Sequence, residues 1–199
     1  MKDQVERRLE VNLGRVRNLI SIYETHLQAS GSGRRGHLKT DVLRAATVFL
    51  HAAMEDFLRG LAYWKLPEAD SSVIDGIAFV GCDGRPKKFF LGELVQHRGK
   101  TVDELIRASV DEHLERSNYS NTRELATFLA AIGVAVPEVN NRFDDLDDLM
   151  ARRHQIVHRA DRDETGGQGH HKVRSIGLNT LNKWVEAVEE FAAAVLDRV

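Results

Sequence analysis

Apolar positions recur at helical spacing along most of this chain. Between residues 3 and 29, Val5, Leu9, Leu13, Val16, Leu19, Ile20, Tyr23 and Leu27 fall three or four apart among arginines and glutamates, which predicts a long amphipathic first helix. The composition of SGSGRRG then predicts a flexible loop. A wider stripe starts near Thr40 and contains Val42, Ala45, Ala46, Phe49, Leu50, Ala53, Met54, Phe57, Leu58 and Leu61. Its breadth predicts the central helix of a bundle, ending before Pro67. At the other end, Leu178, Leu181, Trp184, Val185, Val188, Phe191, Ala192, Val195 and Leu196 predict a last helix broad enough on its apolar face to close that bundle.

Residues 68 to 92 lose the period. Their segment IAFVGCDGRPKKFF predicts a small hairpin or an irregular excursion. Helical spacing returns at Phe90 to His97 and again at Thr101 to Arg116, where Thr101 and Glu104 stand at capping-box spacing. Asn121 and Glu124 repeat that spacing ahead of LATFLAAIGV, and Gly133 supplies a stop. Beyond Pro137 lies DDLDDLMARRHQIVHRAD, Asp144 to Asp161, acidic at its start and basic at its end as the helix dipole favours. A wheel at about 100° per residue groups Leu146, Leu149, Met150, Ile156 and Val157 in one apolar sector with Arg153 inside it. A guanidinium in such a sector calls for a paired carboxylate, a bound anion or a second protein surface. The following DRDETGGQGHHKVRS is polar and glycine-bearing, and predicts a mobile loop. The expected architecture is all-α: one domain over residues 1–199, a helical bundle with a short irregular or hairpin insertion around residues 68–90.

Composition narrows the function classes. The charged fraction of 29% and hydrophobic fraction of 42% are those of an ordinary globular chain, so wholesale disorder is not expected. A net charge of -2 excludes a generally basic protein, and any nucleic-acid contact must use a local basic site. The single cysteine, Cys82, cannot form an intrachain disulfide or a cysteine-rich zinc site. The charged opening MKDQVERRLE and the lack of an 18-residue apolar run lead us to expect a cytoplasmic protein with no membrane partner.

Chemistry concentrates in RRHQIVHR, residues 152–159. Histidine exchanges protons near neutral pH, and arginine carries a permanent planar fork suited to phosphate. His154 and His158 also stand at metal-ligand spacing on a helix, with His51, His170 or His171 as a third ligand, although Gln155 occupies the place where H-E-x-x-H requires glutamate. A metal-dependent hydrolase built on His154 and His158 is therefore a competing expectation, beside the plainer one of solvated histidines at a helix end. On the second helix, His51 and Glu55 stand four apart with Asp56 adjacent, and are expected as a solvated pair on the face away from the core. No GxGxxG or P-loop occurs, and Cys82 has no histidine at a recognisable spacing.

The motif Arg153, a polar neighbour His154, and His158 after four intervening residues resembles the signature of the HEPN superfamily of small helical bundles. RRHQIVHR behind an acidic and apolar helical start is similar to its toxin-like and defence ribonucleases, as are TVFLHAAMEDFLRGL, with an acidic residue embedded in the second helix, and RELATFLAAIGVAV ahead of the motif. The likeness covers residues 38–65 and 120–160, and elsewhere extends to helical character. It implies a metal-independent, cofactor-free endoribonuclease with a composite site where two protomers pack. Arg153 would hold the scissile phosphate and His158 would move protons, as a base on the ribose 2′-hydroxyl or an acid on the 5′-oxygen. Products would be a 2′,3′-cyclic phosphate and a 5′-hydroxyl, and DNA would be inert. His154 and Glu55 are the expected supporting residues, Glu55 being the matched acidic position, and Arg152, Arg159, Lys172 and Arg174 are expected RNA contacts. Expected partners are RNA, a second copy of the chain and an antitoxin or regulatory protein. The other reading is a non-catalytic helical dimer module that binds RNA, a nucleotide or a protein.

One geometric point bears on this. On an unbroken helix, five residues of separation set Arg153 and His158 about 140° apart. Either the helix loosens before His158, or the residues meet through a partner's copies.

Overall fold

The computed structural model describes residues 1–27, 37–82, 90–117, 119–161 and 175–199. Its helices are α1 (Lys2–Ile22), α2 (His37–Lys65), the short α3 (Ser71–Ile74), α4 (Val102–Arg116), α5 (Thr122–Ala131), α6 (Phe143–Arg159) and α7 (Leu178–Leu196). Among the described residues there is no strand, and none of their helices is long and apolar enough to cross a membrane.

The widest apolar stripe became the central helix, as its breadth predicts. α2 packs against α1, α4, α6 and α7, burying Leu43, Ala46, Leu50, Ala53, Met54, Phe57, Leu58 and Leu61. Val5, Leu9, Leu13 and Val16 of α1 lie against it, and at Gly60 the two helices come so close that an added Cβ would sit 3.2 Å from Val5 Cγ2. A glycine inside a helix costs about 1 kcal/mol relative to alanine, and that close approach is its return. From the other side α7 contributes Leu181, Val188, Phe191 and Val195, with Phe191 meeting Phe143 of α6 edge-on at 6.1 Å between ring centres.

The first helix ends earlier than its apolar spacing suggests, in a π-turn over Tyr23–Leu27. The glycine-rich segment after it lies outside the described residues. Around residues 68–90 the irregular alternative holds where the chain is described: a 3-10 turn over Leu66–Glu68, then α3, then turns up to Cys82. A second 3-10 stretch covers Leu91–His97, within the Phe90 to His97 span where helical spacing returns. Thr101 caps α4 as the capping-box spacing requires. Asn121 caps α5, but Glu124 turns its carboxylate to the N–H of Ser120 and so does not complete the reciprocal box. Gly133, at φ +80, lies just past the end of α5.

Candidate active site

α6 is fastened at both ends, and this positions its motif. Near its start, Asp147 accepts hydrogen bonds from the N–H (2.9 Å) and hydroxyl (2.6 Å) of Thr122, tying α6 to the first turn of α5. Asp145 takes Arg142 at 3.0 Å and Lys183 of α7 at 2.5 Å. Leu146, Leu149 and Met150 enter the core. At the C-terminal end Ala160 and Asp161 both adopt left-handed backbone, φ 48 and φ 58, and the N–H of Asp161 bonds back to the carbonyl of Gln155 at 3.0 Å. That reversal turns the Asp161 carboxylate under the helix.

There it meets two arginines. Asp161, 2% exposed, lies 2.5 Å from Arg44 Nε of α2, and its two oxygens lie 2.7 and 2.8 Å from the guanidinium of Arg152, itself 5% exposed. Gln155 takes a further bond from Arg152 at 2.9 Å. A buried carboxylate between two guanidinium groups satisfies charges that would be costly unpaired. Arg152 is therefore not the RNA contact that the sequence suggests: the reversal after Arg159 brings an acid to it, and its charge is used inside the protein.

The apolar sector drawn from the sequence also needs correction. It is core through Met150, but Ile156 is half-buried and Val157 is 48% exposed. Beyond Met150, α6 extends past the densest packing, so Arg153, central in that sector, is half-buried beside a cleft. Arg153 makes no hydrogen bond and no ion pair among the described residues.

That cleft measures about 520 Å³ and is lined by His51, Ser120, Arg153, His154, Thr180 and Trp184, among others. His154 and His158 are exposed on one face of α6, ring centres 4.7 Å apart. α6 is regular through Arg159, so the helix does not loosen before His158, and Arg153 and His158 of one chain leave the axis about 140° apart. Arg159, at the cleft margin, is exposed. Lys172, Arg174, His170 and His171 lie outside the described residues.

The wall opposite Arg153 is built by α2, and here the sequence expectation fails. His51 and Glu55 are not a solvated pair on the outer face: His51 is 3% exposed and Glu55 18%, with His51 Nδ1 3.6 Å from Glu55 Oε2. His51 follows Arg44 and precedes Leu58 by seven residues each, so the three form one line along the buried edge of α2. Burial holds the His51 imidazole below its ordinary pKa; Glu55 opposes this, Arg153 reinforces it, and the main chain of Tyr119 opposes it again. Tyr119 lies buried near them, its phenol pushed up to about 12 by burial, with Arg59 pulling down and Glu55 pushing up. Arg59 in turn binds the carbonyls of Leu114 and Ser117, each at 2.7 Å, and so anchors that segment to α2. The neighbouring Asp56 points elsewhere, to Arg8 and Asn12 of α1. Glu55, not Asp56, is the acid on the side of the motif helix.

Sequence reasoning missed Arg44, Asp161 and Tyr119. Nothing in the local sequence joins Arg44 to a residue 117 positions away, whereas the heptad line through His51 was available. Among the described residues no group of three or more His, Cys, Asp or Glu is placed to hold a metal ion, so His51 does not join His154 and His158 as a third ligand.

No curated protein and no solved structure gives a significant match to the chain. A family model does match, over residues 12–199, and takes in the second half of α1, α2, the motif helix and α7 together: the chain belongs to the RiboL-PSP-HEPN family.

Proposed function

We propose that the protein is a metal-independent endoribonuclease of HEPN type, acting as a dimer. Family membership supports nuclease or RNA-related chemistry. The observation that carries the reading is Arg153: a half-buried guanidinium at a cleft, unpaired among the described residues, next to an arginine whose charge is fully used. A permanent charge so placed is suited to an anion, and the two non-bridging oxygens of a phosphodiester can be taken together by its fork.

Cleavage needs no water and no metal. The RNA 2′-oxygen attacks the adjacent phosphorus as its proton passes to a histidine; the bond from phosphorus to the 5′-oxygen breaks, and a proton is delivered to that oxygen. Arg153 offsets the charge that builds on the non-bridging oxygens. His158 is the proton carrier, and His154, stacked beside it, limits its orientation. Because α6 is straight through both residues, one chain holds them on different sides. A two-fold pairing of motif helices supplies two copies of each and lets Arg153 of one protomer work with the other protomer's histidine. The exposed Val157, between these side chains on the surface, suits such a contact.

The test uses labelled RNA incubated with the protein in a strong chelator. Cleavage to 2′,3′-cyclic phosphate and 5′-hydroxyl ends is expected, with at least about a hundredfold loss in Arg153→Ala and in His158→Ala and no cutting of DNA. Equal cleavage by all three proteins would sink the assignment. Tight RNA binding without cleavage would instead establish the non-catalytic module. We further propose that the enzyme limits growth or acts in defence and is restrained by a protein partner. Expression of the parent but not of Arg153→Ala should then arrest cell growth.

A further inference from the structure

His51 has an arrangement that the cleavage scheme does not use. The Tyr119 main chain beside the ring favours its charged form, although burial outweighs it. Nδ1 is sealed from solvent without a hydrogen-bond partner, and the nearest polar atom across from it is Glu55 Oε2 at 3.6 Å. That gap is slightly too wide for a hydrogen bond. In the charged ring both nitrogens carry protons, and the Nδ1–H facing Glu55 can then close to a charge-assisted bond.

We infer that His51 couples phosphate binding to protonation: when a phosphodiester seats on Arg153, the His51 ring takes up a proton from solvent and its Nδ1–H closes onto Glu55 Oε2. The inference rests on the reading that Arg153 holds an RNA phosphate. One N–H bond forms, one proton leaves the solvent, and no bond of the RNA changes.

The charges around His51 give the direction. Burial disfavours the imidazolium, and Arg153 across the cleft adds to this, while Glu55 on the same helix favours it. An anion on Arg153 cancels the repulsion and adds an attraction, with burial unchanged. The other groups do not reverse the sign. Tyr119 stays protonated throughout the neutral range. Arg59 is engaged by carbonyl oxygens behind Tyr119, and Asp148 lines the same cleft on the α6 side. The Arg44, Asp161 and Arg152 group lies two helical turns back along α2 from His51, internally paired. His154, also at the cleft, is exposed to water and screened. By linkage, the affinity for phosphate must then rise as pH falls from the bound-state His51 midpoint to the free one.

The test follows the His51 ring by NMR through a pH titration of the full chain, free and saturated with a 2′-O-methyl oligoribonucleotide, which keeps every phosphate but lacks the nucleophile. The His51 midpoint should rise by about one pH unit or more on saturation, and the rise should shrink in Glu55→Gln, which offers the charged ring no carboxylate. A bound oligonucleotide that leaves the midpoint in place would overturn the coupling while the phosphate reading stands. So would an equal rise in saturated Arg153→Ala. No binding of the oligonucleotide at any concentration would remove the phosphate reading and the coupling with it.

Discussion

Arg152 and Arg153 leave α6 about 100° apart, and that rotation decides what each charge is for. Arg152 points to Asp161 inside the protein, Arg153 to the cleft. Replacing Arg152 by alanine leaves a carboxylate that is 2% exposed with one of its two arginines, and should cost about 3 kcal/mol of stability. Replacing Arg153 removes a group with no partner among the described residues and should change stability by less than about 1 kcal/mol while removing RNA cleavage. Denaturant melts of the two variants beside their cleavage rates make the comparison; similar destabilisation by both would contradict the division of roles. The motif residues were legible in the sequence because their types and spacing carry the signal. Which arginine is buried was not legible. A helical wheel assumes that the neighbouring surface runs the full length of the helix, and here the packing thins after Met150 and an aspartate returns from beyond the helix end.

At the scale of elements, the end of α6 and the buried edge of α2 have the clearest consequences. Ala160 is left-handed at φ 48 because the chain must reverse there to deliver Asp161. Ala160→Gly relieves that conformation but gains freedom when unfolded, so it should stabilise the fold by up to about 1 kcal/mol with Asp161 still in place. A loss in melting temperature would mean that the alanine methyl has a packing role. On α2 the stripe of apolar residues was read correctly as the central helix, and its neighbour line Arg44, His51 and Leu58 was readable by the same periodicity. The surroundings of that line were not, since its neighbours include residues 119, 153 and 161. Burial lowers the His51 pKa in the folded protein, so as pH falls below the ordinary histidine value the unfolded chain takes up a proton that the folded chain refuses. Stability is therefore full at neutral pH and declines toward pH 5. His51→Gln should flatten that decline, and His113, lowered by its own burial and by Arg116, should sustain what remains. Parallel urea melts at pH 7.5 and pH 5.5 measure the slope; an unchanged slope in the variant would show that His51 is not the group responsible.

For the whole molecule, the question is how a regular helix that aims its arginine and its histidine in different directions can build one active site. The all-helical bundle was legible from periodicity because each long helix has to bury a stripe against its neighbours. The assembly of two bundles is not legible that way, since an interface has no period of its own. If Arg153 and His158 act from opposite protomers, then neither Arg153→Ala nor His158→Ala homodimers should cut RNA, but a mixture of the two should. In a heterodimer one site inherits both lesions and the other inherits none. With random exchange half the dimers are mixed, so the mixture should recover roughly a quarter of the parent activity. The recovery should require subunit exchange, appearing after mild dissociation and reassociation and failing when the variants are cross-linked as homodimers before mixing. A protein that sediments as a monomer at working concentration and still cuts RNA would exclude the composite site. Full exchange without recovery would place both groups within one protomer, and α6 would then have to unwind between Met150 and His158 when RNA binds.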